Sequence, residues 1–444
     1  MKPQQRLRSL LVVACVFEAV AQSQSSYRLT LKDAIDKGLQ ANLSVLIAGT
    51  HIHEAEGTAA RRFSNLLPHV RTQAYANYQN RNLQAFGLSF PGLSVPEVIG
   101  PFSNYDFRVY ADQSILDLQS YRSWKATEEQ LESGKLDYQD ARDLIVRSVA
   151  GLYLNGQAAQ ARIEAAQSRV RASEALDALA RAKHDAGTAT GVDVLRAQVQ
   201  LANDQQALLV AQNQYKQALL ALARNIGINP GTEFELAEPL QFQPISTAQA
   251  ETLIASALLT RSDYLSLATQ RESLTEQQRA NRARWYPKLS VNGNYGALGR
   301  SVGDARGIGL IQGQIDFTVF DHDRKGEAEE LASRIERVDD QLADLRRGIA
   351  EDIREALLNL ESSTDQVKVA QQGQELAERE LELTQDRFDS GVTNNVEVIT
   401  AQDELARAQE NYILAVASYA DAKFALARAA GGTEKNLGQY SANP

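Results

Sequence analysis

One stretch of this chain occurs twice. Gly187-Thr-Ala-Thr-Gly191-Val-Asp193-Val-Leu-Arg-Ala197-Gln198 returns as Gly391-Val-Thr-Asn-Asn395-Val-Glu397-Val-Ile-Thr-Ala401-Gln402. Adding 204 to a residue number keeps finding its counterpart: Asp117 and Asp321, Leu201 and Leu405, Tyr215 and Tyr419, Leu222-Ala-Arg224 and Leu426-Ala-Arg428. Nearer the N-terminus the offset becomes 219, so that Leu46 matches Leu265 and Pro68 matches Pro287. The difference of 15 residues (219 − 204) therefore lies between Pro68 and Asp117, as a longer loop in the first copy. Repetition on this scale constrains the fold before any local signal does. With no Pro/Gly/Ser-rich linker between the copies, the 444 residues read as one pseudo-symmetric body of two tandem units.

The units divide the chain as follows: a first repeat over 22–230, a connector over 231–246, a second repeat over 247–432 and a tail over 433–444. Each repeated motif sits between long Ala/Gln/Leu/Glu/Arg-rich segments, which are good helix formers, and so reads as the turn of a helical hairpin, near 185–193 and 389–397. Gly187 and Gly391 can take the left-handed geometry that ends the incoming helix. Asp193 and Glu397 then fall in the first turn of the outgoing helix, where the dipole favours a negative charge. From about Leu118 to Ala186 the pattern is helical without a proline, about 100 Å of helix at roughly 1.5 Å per residue, with Gly151 and Gly156 as points where it could bend. Helical periodicity also covers Leu29–Leu67, with Thr30 and Asp33 as a capping box, and Thr247–Tyr286. Asp321 is expected to begin the second long helix.

After each helix that ends at Pro68 or Pro287 the period changes to two. Strands are expected at about 69–78 and 106–116, and again at about 288–297 and 309–320. Val70, Val109, Val291 and Phe317 fall on one face of these strands. Arg71, Arg108, Asp112, Lys288 and Asp316 fall on the other.

The first 21 residues read as an export signal: a basic start (Lys2, Arg6, Arg8), an apolar run from Leu10 to Val20 and a small-residue cleavage site at Ala19-Val-Ala21. A rival reading makes Val12-Val-Ala-Cys15 a lipoprotein signal with Cys15 acylated. Cys15 is the one cysteine, so an internal disulfide and a thiolate cluster are excluded. A net charge of −10 excludes the basic face that a nucleic-acid partner requires. No other segment approaches the roughly 20 apolar residues of a spanning helix.

Strands alone would suit a half-buried soluble sheet. Export without a helical anchor, pairing of the strands with very long helices, and a charged face suited to water point instead to a membrane pore. An open sheet edge strands unpaired amides in lipid, and known barrels need about eight strands or more, so four strands must share a barrel with other copies. The amphipathic helices likewise need one another and neighbouring copies to bury their stripes. The competing architecture is a periplasmic coiled-coil structural or adhesive protein with a small soluble sheet. Charge substitution on the apolar strand face discriminates the two.

Over its mature length the chain resembles the TolC-like outer-membrane efflux proteins. The resemblance rests on the duplicated Gly-x5-[Asp/Glu]-Val-[Leu/Ile]-x-Ala-Gln hairpin, on the Pro68 and Pro287 strand entries, on Leu116-Asp117 and Phe320-Asp321 at the strand exits, and on Phe234-Glu-Leu-Ala-Glu-Pro-Leu240 between the halves. It implies an α+β membrane protein: a homotrimer with a twelve-stranded outer-membrane β-barrel continued by an α-helical periplasmic tunnel. It also implies a passive exit duct for a tripartite efflux or type I secretion system, working with a periplasmic adaptor and an inner-membrane transporter. By the same resemblance Gly187, Gly191, Asp193, Gly391, Asn395 and Glu397 would lie at the periplasmic tip, where the adaptor docks and the aperture narrows. Arg71, Arg108, Asp112, Lys288 and Asp316 would line the barrel lumen. Phe388 and Thr393 beside the second hairpin offer no charged link, so how the tip is held closed is not legible.

Nothing in the chain reads as an enzyme or asks for a cofactor. His51 and His53 are two apart on a helix, so they point in different directions and make a poor metal pair. Asp321-His322-Asp323 suits a helix N-cap at a membrane interface better than a metal site. Tyr121, Trp124, Trp285 and Tyr286 suit either an interfacial aromatic belt or ordinary packing.

Overall fold

The computed structural model describes residues 27–83, 85, 87, 92 and 96–435. Residues 1–26, which include the expected export signal and Cys15, part of the loop around Pro91, and residues 436–444 lie outside the described residues. In order, the chain forms β1 (Tyr27–Leu29), α1 (Leu31–Ala41), α2 (Leu43–Ser64), β2 (His69–Asn82), β3 (Val98–Leu116), α3 (Leu118–Asp185), α4 (Gly191–Asn225), β4 (Phe234–Leu236), α5 (Ala250–Thr260), α6 (Ser262–Ala283), β5 (Lys288–Gly299), β6 (Arg306–Asp316), α7 (Asp323–Asp389) and α8 (Asn395–Ala430). The duplication is visible residue by residue. Adding 219 to the limits of α1 and α2 gives those of α5 and α6, and adding 204 brings the end of α3 onto the end of α7.

Neither of the helices expected over 29–67 and 247–286 is continuous. Leu29 belongs to β1, and the helix that follows starts at the Thr30 cap, whose hydroxyl accepts the Asp33 amide (3.1 Å) and donates to its carboxylate (2.8 Å). At Asn42 an extended residue ends α1 and starts α2, its side chain accepting the Ser44 amide at 2.9 Å. Arg261 makes the equivalent break without a side-chain cap. A capping asparagine or an extended arginine leaves the hydrophobic period almost undisturbed, which is why the pattern runs through both breaks. Pro68 and Pro287 stand just before β2 and β5, where proline's lack of an amide donor ends the helical ladder.

Gly151 and Gly156 do not interrupt α3, which runs for 68 residues. Gly156 instead makes room for β4: a Cβ there would lie 2.8 Å from Leu236 Cδ1. α7 starts at Asp323 rather than Asp321, and its cap residue His322 makes no side-chain bond to the helix. The Asp321 carboxylate is taken by Arg284, which also reaches Asp323 (3.2 Å) and Glu327 (2.8 Å). The first copy does keep the expected cap, with Asp117 accepting the Ser120 amide at 2.9 Å.

Midway along the helices lies the main core. β1 and β4 pair in parallel, Leu29 opposite Leu236. They pack with Ile35, Val149, Tyr153, Leu222 and Phe424 into one apolar cluster, and the Tyr153 hydroxyl donates to the Leu29 carbonyl at 3.0 Å. A second cluster joins Ile349, Ile353 and Val367 of α7 to Val416, Tyr419 and Leu426 of α8. Three-residue strands carry no readable alternation, so this small sheet is invisible in the sequence. The other sheet has the order β2-β3-β5-β6, antiparallel throughout. β2, β3 and β5 outrun their expected limits, whereas β6 stops at Asp316 and leaves Phe317, Val319 and Phe320 outside it, all exposed.

Candidate functional site: the strand faces and the helical tip

Register decides which side chains share a face of the sheet, because cross-strand partners point the same way. Arg71 pairs with Tyr110, which lies two residues from both Arg108 and Asp112, and Asp112 pairs with Asn292. Lys288 is four residues from Asn292 and pairs with Asp316. All five charged residues singled out in the sequence thus fall on one face. Asp106 joins them there, almost fully buried at 3% exposure, held by Arg108 (2.6 Å) and by the Tyr75 hydroxyl (2.9 Å). Lys288 also reaches Asp117 at the head of α3 (3.5 Å).

The opposite face is apolar and open to its surroundings. Val70 opposite Ala111, Val109 opposite Tyr295 and Gly293 opposite Ile311 belong to it, as does Val291. Val70 is 68% and Ile311 86% exposed. Phe317, expected on this face, lies beyond the end of β6. The sheet ends at β2 on one side and β6 on the other, so two strand edges have no partner among the described residues. An apolar exposed face with open edges is untenable in water or lipid unless something pairs with those edges.

At the far end of α3, α4, α7 and α8 the two hairpin turns have the same construction. Gly187 (φ +75°) and Gly391 (φ +72°) are left-handed. Their amides bond the carbonyls of His184 (2.8 Å) and Phe388 (3.1 Å), and those of Thr188 and Val392 bond Lys183 (2.8 Å) and Arg387 (2.9 Å). The outgoing helices are capped differently. Thr190 and Asp193 form a reciprocal capping box before Gly191, whereas Asn394 accepts the Val396 amide at 3.0 Å before Asn395. The Thr190 hydroxyl and amide, both donating to Asp193, hold its carboxyl below the ordinary carboxylate range. Glu397 makes no cap bond and pairs with Arg387 across its own hairpin at 3.4 Å.

The hairpins are also tied to each other. Asn395, fully buried, donates from Nδ2 to the Asp193 carbonyl at 2.7 Å. Lys183 donates to the Phe388 carbonyl and sits 3.9 Å from the centre of its ring. Beneath these links Leu176, Ala180, Ala197, Phe388 and Val398 form an apolar plug. The difference between Gly191 and Asn395 is what marks Asn395 in the sequence: one copy has a side chain that reaches across, the other has none. Lys183 carries no such mark, and its partner is a backbone carbonyl that no motif encodes. Elsewhere, His51 and His53 each contact a glutamate three residues on (3.4 and 3.1 Å). Trp124 meets the rings of Phe63 and Tyr121 at tilted angles of 51° and 59°, and Arg324 lies over Trp285.

The sequence profile of the outer membrane efflux protein family matches residues 18–228 and 253–432. The pyoverdine export outer membrane protein OpmQ of Pseudomonas putida is 24% identical over 318 residues, 68% of this chain and 65% of that protein. The toluene efflux pump outer membrane protein TtgC of a second Pseudomonas putida strain is 22% identical over 405 residues, 86% of this chain and 79% of TtgC. Among solved structures, the outer membrane protein VceC of Vibrio cholerae superposes with a TM-score of 0.75 at 18% identity, covering 90% of this chain and 96% of that one.

Proposed function

This chain belongs to the outer membrane efflux protein family, and we propose from that membership that it is the passive outer-membrane duct of a tripartite export system. The single observation that carries the reading is the antiparallel sheet: one face charged, the other apolar and exposed, two edges open, and all of it continuous with helices about 100 Å long. Three copies close the edges of four strands into twelve, within the range of membrane barrels. The apolar face then meets lipid, and Arg71, Arg108, Asp112, Lys288 and Asp316 meet water in the lumen. The helices carry the duct through the periplasm to the hairpins.

At the tip Gly187, Gly191, Asp193, Gly391, Asn395 and Glu397 form the end that meets a periplasmic adaptor and, through it, an inner-membrane transporter. The bonds from Thr190 hold Asp193 ionised while it caps α4, and Glu397 adds a second acidic side chain beside Arg387, so the aperture favours cations. No covalent chemistry is involved: the protein is a conduit, not an enzyme. Relatives named for cargoes as unlike as pyoverdine and toluene support a duct whose selection is made by the transporter.

The decisive experiment is fractionation of expressing cells followed by cross-linking of the solubilised protein and a bilayer recording. A trimer from the outer membrane that conducts ions is the expected result. A soluble periplasmic monomer or dimer would overturn the reading in favour of a coiled-coil structural protein.

A further inference from the structure

Above the apolar plug, toward the middle of the molecule, the two hairpins meet across a layer of a different kind. A cavity of about 70 Å³ lies between them, its polar wall including Arg169 of α3, Gln200 and Asp204 of α4, and Gln402, Asp403 and Gln409 of α8. Gln402 is 6% exposed, yet neither its amide nitrogen nor its amide oxygen has a hydrogen-bond partner among the described residues. The buried Gln409 Oε1 and Arg169 Nε, on the walls of the same cavity, are equally without partners. Asp204, also nearly buried, is already engaged by the Ser173 hydroxyl.

Four orphaned polar atoms around one cavity are not tolerable dry, since each forfeits its hydration without replacement. We propose that this cavity is an internal hydration site, in which ordered water bridges Gln402 to Gln409 and Arg169. The chemistry of the wall selects the occupant. Gln402 presents both a donor and an acceptor, Arg169 a donor and Gln409 an acceptor, a mixed set that suits a molecule able to do both. An anion would face the Asp204 and Asp403 carboxylates, the latter bonded to Gln200 at 3.3 Å, and a cation would face the Arg169 guanidinium. The space suffices, because one water needs roughly 10–15 Å³ and 2–4 polar partners. The seam between the hairpins is therefore wet at this level and dry below it, at Leu176 and Phe388.

The experiment is a crystal structure of the detergent-solubilised trimer at a resolution that orders water, with crystals also soaked in bromide and in rubidium. Expected is water within about 3.2 Å of Gln402 and of Gln409 or Arg169, with no anomalous peak in the cavity from either soak. An anomalous peak, a dry cavity, or a neighbouring protomer's side chain filling it would overturn the proposal. Gln402→Leu gives a second reading: the bridging water should disappear while the trimer persists. An unchanged water pattern in that variant would remove Gln402 from the site.

Discussion

Single residues at the tip hold two kinds of information, a charge and a bond, and substitutions can separate them. Asn395 contributes only a bond. Asn395→Ala should cost about 1 kcal/mol of hairpin–hairpin contact, and the open probability of the channel in a planar bilayer should rise. Unchanged gating would mean that the Lys183 link and the apolar plug suffice. Asp193 contributes both. An Asn at that position still accepts the Thr190 amide, so Asp193→Asn with Glu397→Gln removes charge while sparing the cap of α4. We expect weaker cation preference in reversal-potential measurements, and the same selectivity as wild type would exclude an acidic aperture. Asp193→Ala, by contrast, also removes the carboxylate half of the capping box with Thr190 and frays the first turn of α4.

At the scale of elements, the two faces of the sheet predict opposite responses to the same chemistry. Val109→Arg places a charge on the apolar face, at about 2–4 kcal/mol per copy near the bilayer midplane. The variant should be lost from the outer-membrane fraction, and normal insertion would show that this face never meets lipid. The pairing of β3 with β5 depends on Gly296, where a Cβ would lie 2.0 Å from the Phe107 carbonyl oxygen and 2.6 Å from Arg108 Cα. Gly296→Val forces the two strands apart, since backbone on both sides leaves nothing flexible to yield. Heat-resistant trimer on a gel should fall severalfold, and a full yield would place the close approach in doubt.

For the whole molecule, the C-terminal end of the described chain closes the two repeats onto each other. After α8, Gly431 and Gly432 turn the backbone back. The Glu434 amide bonds Asp143 of α3 (3.0 Å), and its carboxylate receives Arg142 (2.5 Å) and Gln139 (3.3 Å). The hydrogen bond from Arg142 holds the Glu434 carboxyl below its ordinary value. A depressed carboxyl contributes stability that is complete above the unfolded value, about 4.3, and is lost as pH falls through the folded value. Asp143 works in the opposite sense: burial raises it, so its charge costs stability near neutrality and the cost vanishes in acid. Comparing Arg142→Met with wild type isolates the first contribution. The variant should unfold at a lower temperature at pH 7, and the gap should narrow below about pH 4. A gap independent of pH would show that Arg142 acts by packing alone.

What the sequence determined by itself is the repetitive part of this protein. Offsets of 204 and 219 mark out the paired elements, a change of period at Pro68 and Pro287 marks the strands, and a strict period of two already divides Arg71, Arg108 and Asp112 from Val70 and Val109. These are local rules that every turn of a long helix and every residue of a strand obeys, so they accumulate into a signal. The tertiary structure alone decided what happens once or across a distance. It joined β1 to β4, split α1 from α2 at Asn42, gave Asp321 to Arg284 instead of to a helix cap, and brought Lys183 to a carbonyl 205 residues away. It also gathered Gln402, Gln409 and Arg169 around one cavity. Each of these depends on which faces two distant helices turn toward each other, and a one-dimensional pattern holds no record of a contact made by backbone groups that every residue possesses.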